Sequence, residues 1–279
     1  MTERNGPVVG IIGSPVGHSL SPVLQAAAFE AMGLAWTTAA FDVPVGGGAA
    51  AVAAMRSLSI RGLSVTMPLK AEVARAVDRL DPAARSLDSV NCLSLEGGEV
   101  VGLSTDGAGL LASLRREVDL DPSGMQVVVL GSGGAARAVV DAFARAGAAG
   151  VAVVARRPDA AQACASLAGA VGRVATGAEA SEADIIVNAT PIGMAGTDAA
   201  AAESLIDPST LSAGQIAVDL IYHPRLTAWL ESAAASGATG VGGLGMLVHQ
   251  AAIQIERWTG EIAPVDAMWA AAERALGDG

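Results

Sequence analysis

Lysine is almost missing from this chain: of its 17 basic residues only Lys70 is lysine, and all the others are arginine. Aromatic side chains are also scarce, with one tyrosine and three phenylalanines in 279 residues. The two cysteines, Cys92 and Cys164, and the scattered histidines His18, His223 and His249 show no metal-ligand spacing. No structural metal or disulfide framework is therefore expected. Asp42, Arg56, Arg137 and Asp141 interrupt the richest apolar stretches before any reaches membrane-spanning length, and no basic-then-apolar leader opens the chain. These shortages predict a soluble, cytoplasmic protein. A net charge of −11 repels nucleic acid and acidic membranes, so an anionic ligand has to be held by local donors. The expected partner is a small molecule.

The composition, 52% hydrophobic, can fill the cores of one large or two ordinary domains. Apolar runs at 8–12, 36–43, 60–65, 127–130, 151–155, 184–187 and 216–220 read as strands. Helices are expected at 23–32, 49–58, 69–77, 108–118, 138–146, 246–258 and 264–276, and a hairpin at 89–103 across Gly97 and Gly98. Gly46, Gly47 and Gly48 read as a flexible entry into one helix, and the alanine-rich stretch 195–202 as a loose loop. Strands alternating with helices predict a mainly parallel sheet covered on both faces. Ligands of such sheets sit beyond the carboxyl ends of the strands, where Ser19, Thr66, Asn91 and Asp106 are expected to converge.

Lys70 is informative because arginine served at every other basic position. Arginine cannot give up its proton, whereas a lysine can be tuned to donate or accept one. It is expected in the first turn of a helix begun by Pro68, against the helix dipole, which points to a task other than stability. Asp106, in Ser104-Thr105-Asp106-Gly107, could hold and tune that ammonium, making an acid/base pair. Ser21 is placed to cap the helix that begins at Pro22, and with Ser19 it forms a hydroxyl-rich loop able to hold an anion.

Gly131-Ser132-Gly133-Gly134-Ala135-Ala136 lies between a strand and a helix, the context of a dinucleotide fingerprint with alanine in the third glycine position. The next strand ends in Arg156-Arg157, where an NAD site carries an acidic residue. Two guanidiniums suit a ribose phosphate, so NADP is the expected cofactor.

In order along the chain, the stretches 13–22, 62–70, 90–91, 105–109, 131–137, 188–194, 219–224 and 243–260 resemble the shikimate dehydrogenases. The resemblance implies two domains, an open, mostly parallel α/β substrate domain over 1–104 completed by helices in 241–279, and a Rossmann nucleotide-binding domain over 105–240. It implies reversible, NADPH-dependent reduction of 3-dehydroshikimate to shikimate. It makes Ser19 and Ser21, helped by Tyr222, binders of the substrate carboxylate, and Thr66, Asn91, Asp106 and Gln250 binders of its hydroxyls. Lys70 and Asp106 become the catalytic pair. Thr190, Ile221, Gly243, Gly245 and Met246 would border the cofactor.

Ser64 and Ser104 stand where the family most often has asparagine, and a further arginine after Arg157 is absent. The first leaves substrate choice open and the second the strictness for NADP. A quinate or aminoshikimate dehydrogenase, with NAD as an option, is the alternative enzyme, and an NADP-binding sensor the non-enzymatic one. The expected assembly is a monomer or homodimer.

Overall fold

The structure, a computed structural model, describes residues 6–194 and 204–277. The stretch 195–202 lies outside the described residues. The chain divides into two compact units, residues 1–105 with 248–279 and residues 106–247.

The first unit opens with β1 (Val8–Gly13), α1 (Ser21–Ala31), β2 (Thr37–Asp42), α2 (Gly48–Ser57) and β3 (Gly62–Val65). The short α3 (Lys70–Ala74), β4 (Arg79–Leu80) and α4 (Pro82–Leu87) follow, then the hairpin β5 (Cys92–Glu96) and β6 (Glu99–Leu103). The sheet runs β2-β1-β3-β5-β6-β4. β1 is parallel to β2 and β3, whereas β5 is antiparallel to both β3 and β6. A hairpin strand can dock on its neighbour without a crossover helix, and that is why this sheet is mixed. One consequence is positional. Because Ser64 faces Cys92 and Cys92 faces Leu103, the start of β5 and the end of β6 reach the rim where β1 and β3 end. Asn91 therefore precedes a strand rather than following one, and still arrives at that rim.

The second unit contains α5 (Asp106–Val118), β7 (Gln126–Leu130), α6 (Gly134–Arg145), β8 (Gly150–Val154), α7 (Pro158–Ala165) and β9 (Gly172–Val174). β10 (Ile185–Asn188), β11 (Ile216–Asp219), α8 (Ala228–Ala235) and β12 (Thr239–Val241) complete its sheet. All neighbours are parallel, in the order β12-β11-β10-β7-β8-β9. Counted from β7, this is the 3-2-1-4-5-6 order of the doubly wound dinucleotide fold. Successive strand residues point to opposite faces, and here both faces are apolar. Val127, Val129, Val151 and Val153 pack with Leu110, Val139 and Phe143; Val128, Leu130, Ala152 and Val154 pack with Trp229, Leu230 and Ala233.

The last helices are α9 (Leu244–Thr259) and α10 (Val265–Leu276). Residues 244–247 of α9 belong to the second unit and those from 248 onward to the first. α10 packs on α1. Trp258 is buried and donates its indole N–H to Leu93 O at 2.9 Å. Gly62 makes room for it, because a Cβ there would run into the indole ring.

Two helices depart from their expected bounds by three residues or more. α6 starts at Gly134 rather than near 138, because the glycine turn leads directly into helical geometry. α3 stops at Ala74, its chain turning so that Asp78 N–H reaches Val100 O at 3.0 Å. The glycine entry to α2 is pinned: Gly46 and Gly48 N–H donate to the Glu72 carboxylate at 3.0 and 2.6 Å. A carboxylate there also suits the N-terminal dipole of α2. Among the described residues no helix is long and apolar enough to cross a membrane, and no cluster of His, Cys, Asp or Glu could hold a metal ion.

Candidate active site

The rim of the first unit is laced together by backbone bonds. Thr66 N–H donates to Ile12 O at 2.9 Å, and Ser14 N–H to Met67 O at 3.1 Å. Lys70, first residue of α3, accepts at its main-chain oxygen from Val90 N–H at 3.0 Å, while Val65 N–H donates to Asn91 O at 2.8 Å. Thr66, Lys70 and Asn91 thus sit on adjoining segments with little freedom to drift apart.

Ser21 does not cap α1. It is the helix's first residue, and the Ser19 hydroxyl accepts from its N–H at 3.2 Å. The helix starts one residue early because Leu20 already has helical backbone angles and Ser19 supplies the acceptor. The two hydroxyls lie 3.3 Å apart at the N-terminus of an 11-residue helix, an arrangement able to hold a carboxylate.

Behind the rim lies a buried network of amides and hydroxyls. Asn91 Oδ1 accepts from Thr105 N–H at 2.7 Å, and Asn91 Nδ2 donates to Thr105 Oγ1 at 2.9 Å and Gln250 Oε1 at 3.2 Å. Gln254, one turn beyond Gln250 on α9, donates to Gln250 Oε1 at 2.7 Å, Thr105 Oγ1 at 3.1 Å and Asn91 O at 3.2 Å. Ser64 is 4% exposed, donates to Gln254 Oε1 at 2.5 Å and accepts from Gln25 Nε2 at 3.1 Å. Its hydroxyl is therefore engaged inside the unit, from within the strand expected over 60–65. Thr105, Gln25 and Gln254 were not anticipated. The spacing of Gln250 and Gln254 on one helix face was the available signal.

Two expected participants belong to the second unit. Asp106 is 8% exposed and lies in the first turn of α5 rather than capping it from outside, a place that favours a carboxylate. Tyr222 follows β11, and burial pushes its hydroxyl above the ordinary tyrosine value.

The second unit also carries the glycine turn. Gly131 has φ +110°, and a Cβ there would come within 3.1 Å of Ala189 O and 3.2 Å of Thr190 Cγ2. This is the close passage between the ends of β7 and β10, the switch point of the sheet. Beyond it the turn is open: a Cβ at Gly133 or Gly134 would meet nothing within 4 Å. Gly133 precedes α6, which has no side-chain cap and no acidic residue in its first turn. Ser132, Ala135 and Ala136 complete this stretch, with Ala136 buried in the core. Arg156 and Arg157 are exposed after β8, and among the described residues neither pairs with a carboxylate. An uncapped 12-residue helix, a bare turn and two unpaired guanidiniums fit a phosphorylated dinucleotide.

The far side of that turn is braced by Asp219, fully buried at the end of β11. Its Oδ1 accepts from Asn188 Nδ2 at 3.2 Å and Ile221 N–H at 3.1 Å, and its Oδ2 accepts from Thr227 Oγ1 at 2.6 Å. Asn188 in turn accepts from the Thr190 hydroxyl at 2.7 Å. Burial raises the Asp219 carboxyl above its ordinary value despite these donors. Gly243 N–H donates to Ile221 O at 3.1 Å, which ties α9's entry to the same loop, and Met246 packs into the apolar core beside it. Gly245 has no room for a side chain, since a Cβ would collide with Ser113 and Glu117. Both cysteines are buried, and burial pushes Cys164 up to about 11 and Cys92 further still, so neither is a nucleophile here.

Residues 11–93 match a family model described as the shikimate dehydrogenase substrate binding domain, and residues 243–273 one described as the shikimate 5'-dehydrogenase C-terminal domain. The shikimate dehydrogenase (NADP(+)) of Citrifermentans bemidjiense is 40% identical over 272 residues, 94% of this chain and 92% of that protein. A shikimate 5-dehydrogenase from Thermus thermophilus, solved with NADP(H) and shikimate, superposes with a TM-score of 0.89 at 33% identity, over 96% of this chain and 99% of its own. The ligand-free 5-ketofructose reductase of a Gluconobacter species has the same TM-score, 0.89, at 30% identity, over 98% and 99% of the two chains.

Proposed function

The chain belongs to the shikimate dehydrogenase family, and on that premise we propose that Lys70 and Asp106 carry out its proton transfer. The protein is an NADP-dependent oxidoreductase that interconverts 3-dehydroshikimate and shikimate. NADPH, when bound, supplies the hydride. Gly131, Ser132, Gly133, Gly134, Ala135 and Ala136 would hold its pyrophosphate at the start of α6, with Arg156 and Arg157 on the ribose phosphate. Thr190, Ile221, Gly243 and Met246 would border the rest.

As the ketone carbon accepts hydride, negative charge grows on its oxygen. The Lys70 ammonium stabilises that charge and gives the oxygen its proton. Asp106 keeps the ammonium in place before the transfer. Ser19 and Ser21, with Tyr222, hold the substrate carboxylate, while Thr66, Asn91 and Gln250 hold its hydroxyls. The observation that carries this reading is the bond from Val90 N–H to Lys70 O, which ties the lone lysine to the segment bearing Asn91. Work in the cytoplasm, as a monomer or homodimer, belongs to the same proposal.

The test follows absorbance of reduced cofactor with shikimate or quinate against NADP or NAD. Shikimate with NADP should be fastest. Changing both Arg156→Ala and Arg157→Ala should raise the KM for NADP about tenfold or more and leave that for NAD unchanged. Faster turnover of quinate would move the substrate assignment. NADPH binding without turnover of either alcohol would leave a sensor.

A further inference from the structure

The amide network behind the rim has a direction, and two backbone groups set it. A side-chain amide can be placed either way round, so its orientation must be judged from partners that cannot switch. Thr105 N–H can only donate, so the atom of Asn91 that meets it at 2.7 Å is Oδ1, and Nδ2 faces Gln250. Asn91 O can only accept, so the end of Gln254 that meets it at 3.2 Å is Nε2. That leaves Gln254 Oε1 to accept from Ser64, whose hydroxyl also accepts from Gln25, and Gln25 Oε1 accepts in turn from the Thr38 hydroxyl. The links form one donor series from Thr38 through Gln25, Ser64 and Gln254 to Gln250.

Gln250 Oε1 stands at its end, receiving both Gln254 Nε2 and Asn91 Nδ2. Turning the Gln250 amide over would set nitrogen against two nitrogen donors. We propose that Gln254 is a positioning residue for the reaction, holding the Gln250 amide with its oxygen inward so that one hydrogen-bonding face meets the substrate. Gln254 is 1% exposed, which leaves it almost no surface to offer a ligand. The inference rests on the reading that Gln250 binds substrate hydroxyls.

Replacing Gln254→Met keeps the unbranched shape and removes the donor. It should raise the KM for shikimate about tenfold, the worth of one hydrogen bond, while leaving the KM for NADP and most of kcat in place. Gln254→Glu adds a reversible version. Ionised, the carboxylate repels Gln250 Oε1 and turns the amide over; protonated, its O–H donates as Gln254 does. The KM should therefore be raised at alkaline pH and fall back toward that of the unaltered enzyme on acidification, a recovery Gln254→Met lacks. A loss of stability would titrate too, because an ionised carboxylate is costly to bury, but it lowers the active fraction and so the apparent kcat, not the KM for shikimate.

Gln250→Ala separates the two layers of the argument. If it leaves the shikimate KM unchanged, the substrate reading of Gln250 has failed. If it raises that KM while Gln254→Met and Gln254→Glu leave it unchanged at every pH, the positioning role alone is overturned. Should Gln254→Met not fold, the pH series of Gln254→Glu decides the matter by itself.

Discussion

The rim of the first unit is furnished with polar side chains: hydroxyls of Ser19, Ser21 and Thr66, amides of Asn91 and Gln250, and the single ammonium of Lys70, with a second layer of amides behind them. The corresponding rim of the second unit is nearly bare. Its turn offers glycines, the uncapped start of α6 and empty space where Cβ atoms would lie, and its side-chain network, built on Asp219, braces the neighbouring loops instead. The difference suits the ligands we propose for the two regions. A ring carrying several hydroxyls is distinguished by groups that donate and accept in fixed directions, whereas a pyrophosphate is gripped by backbone N–H groups that any sequence supplies once side chains are out of the way. The first region should therefore be sensitive to what a side chain is, and the second to whether one is there.

The sharpest way to break this contrast is at Lys70. Lys70→Ala should lower kcat by about a hundredfold to a thousandfold, and Lys70→Arg nearly as much, since charge without a transferable proton does not suffice. Stopped-flow binding of NADPH should be unaffected in both. A loss below tenfold for Lys70→Arg would mean that charge, not side-chain identity, is what that rim requires.

A smaller effect is expected from adding one carbon at Gly131. With φ at +110° and Ala189 O at 3.1 Å from the new atom, Gly131→Ala should cost about 1–3 kcal/mol in strain. NADPH titration by fluorescence should show about tenfold weaker binding, with the KM for shikimate unmoved. Gly133→Ala, where space is open in the protein alone, should lose less stability than Gly131→Ala, read as urea midpoints, while its methyl still weakens NADPH binding by standing on the side proposed for the pyrophosphate. Equal losses at the two positions would dissolve the distinction between a close passage and an open turn.

The smallest effect concerns stability at Asp219. Burial raises its folded-state value above the unfolded one, so the folded protein binds the proton more tightly. Between those two values stability falls as pH rises, because ionisation is cheaper in the unfolded chain. Asp219→Asn should remove this share of the slope, measured as urea midpoints at steps from mildly acidic to neutral pH. A slope identical to that of the unaltered protein would show that the hydrogen bonds from Asn188, Ile221 and Thr227 already offset the burial.

The two regions were also unequally legible. The glycine turn could be read because an open turn is made of absences, and glycine between an apolar strand and an alanine-rich helix is visible in one dimension. What escaped there was the helix start at Gly134, since glycine carries no helical signal of its own. In the first unit Lys70 stood out by rarity and the hairpin by its glycines. The antiparallel docking of β5 did not, because strand direction is decided by pairing between distant segments. Ser64 shows the limit best. Its type left substrate choice open, but alternation along β3 turns its hydroxyl toward Gln25 and Gln254, residues far away in the sequence.

The division of the chain also bears on how it is synthesised. Residues 106–247 are contiguous, so the second unit has all its parts as soon as that stretch has left the ribosome. The first unit's strands are made earlier, yet its sheet holds a notch at Gly62 cut for an indole ring that emerges only after the whole second unit, and α1 waits for α10. Of the two units, the one begun first is the one completed last, and until Trp258 arrives its sheet is the surface that chaperones would have to shield.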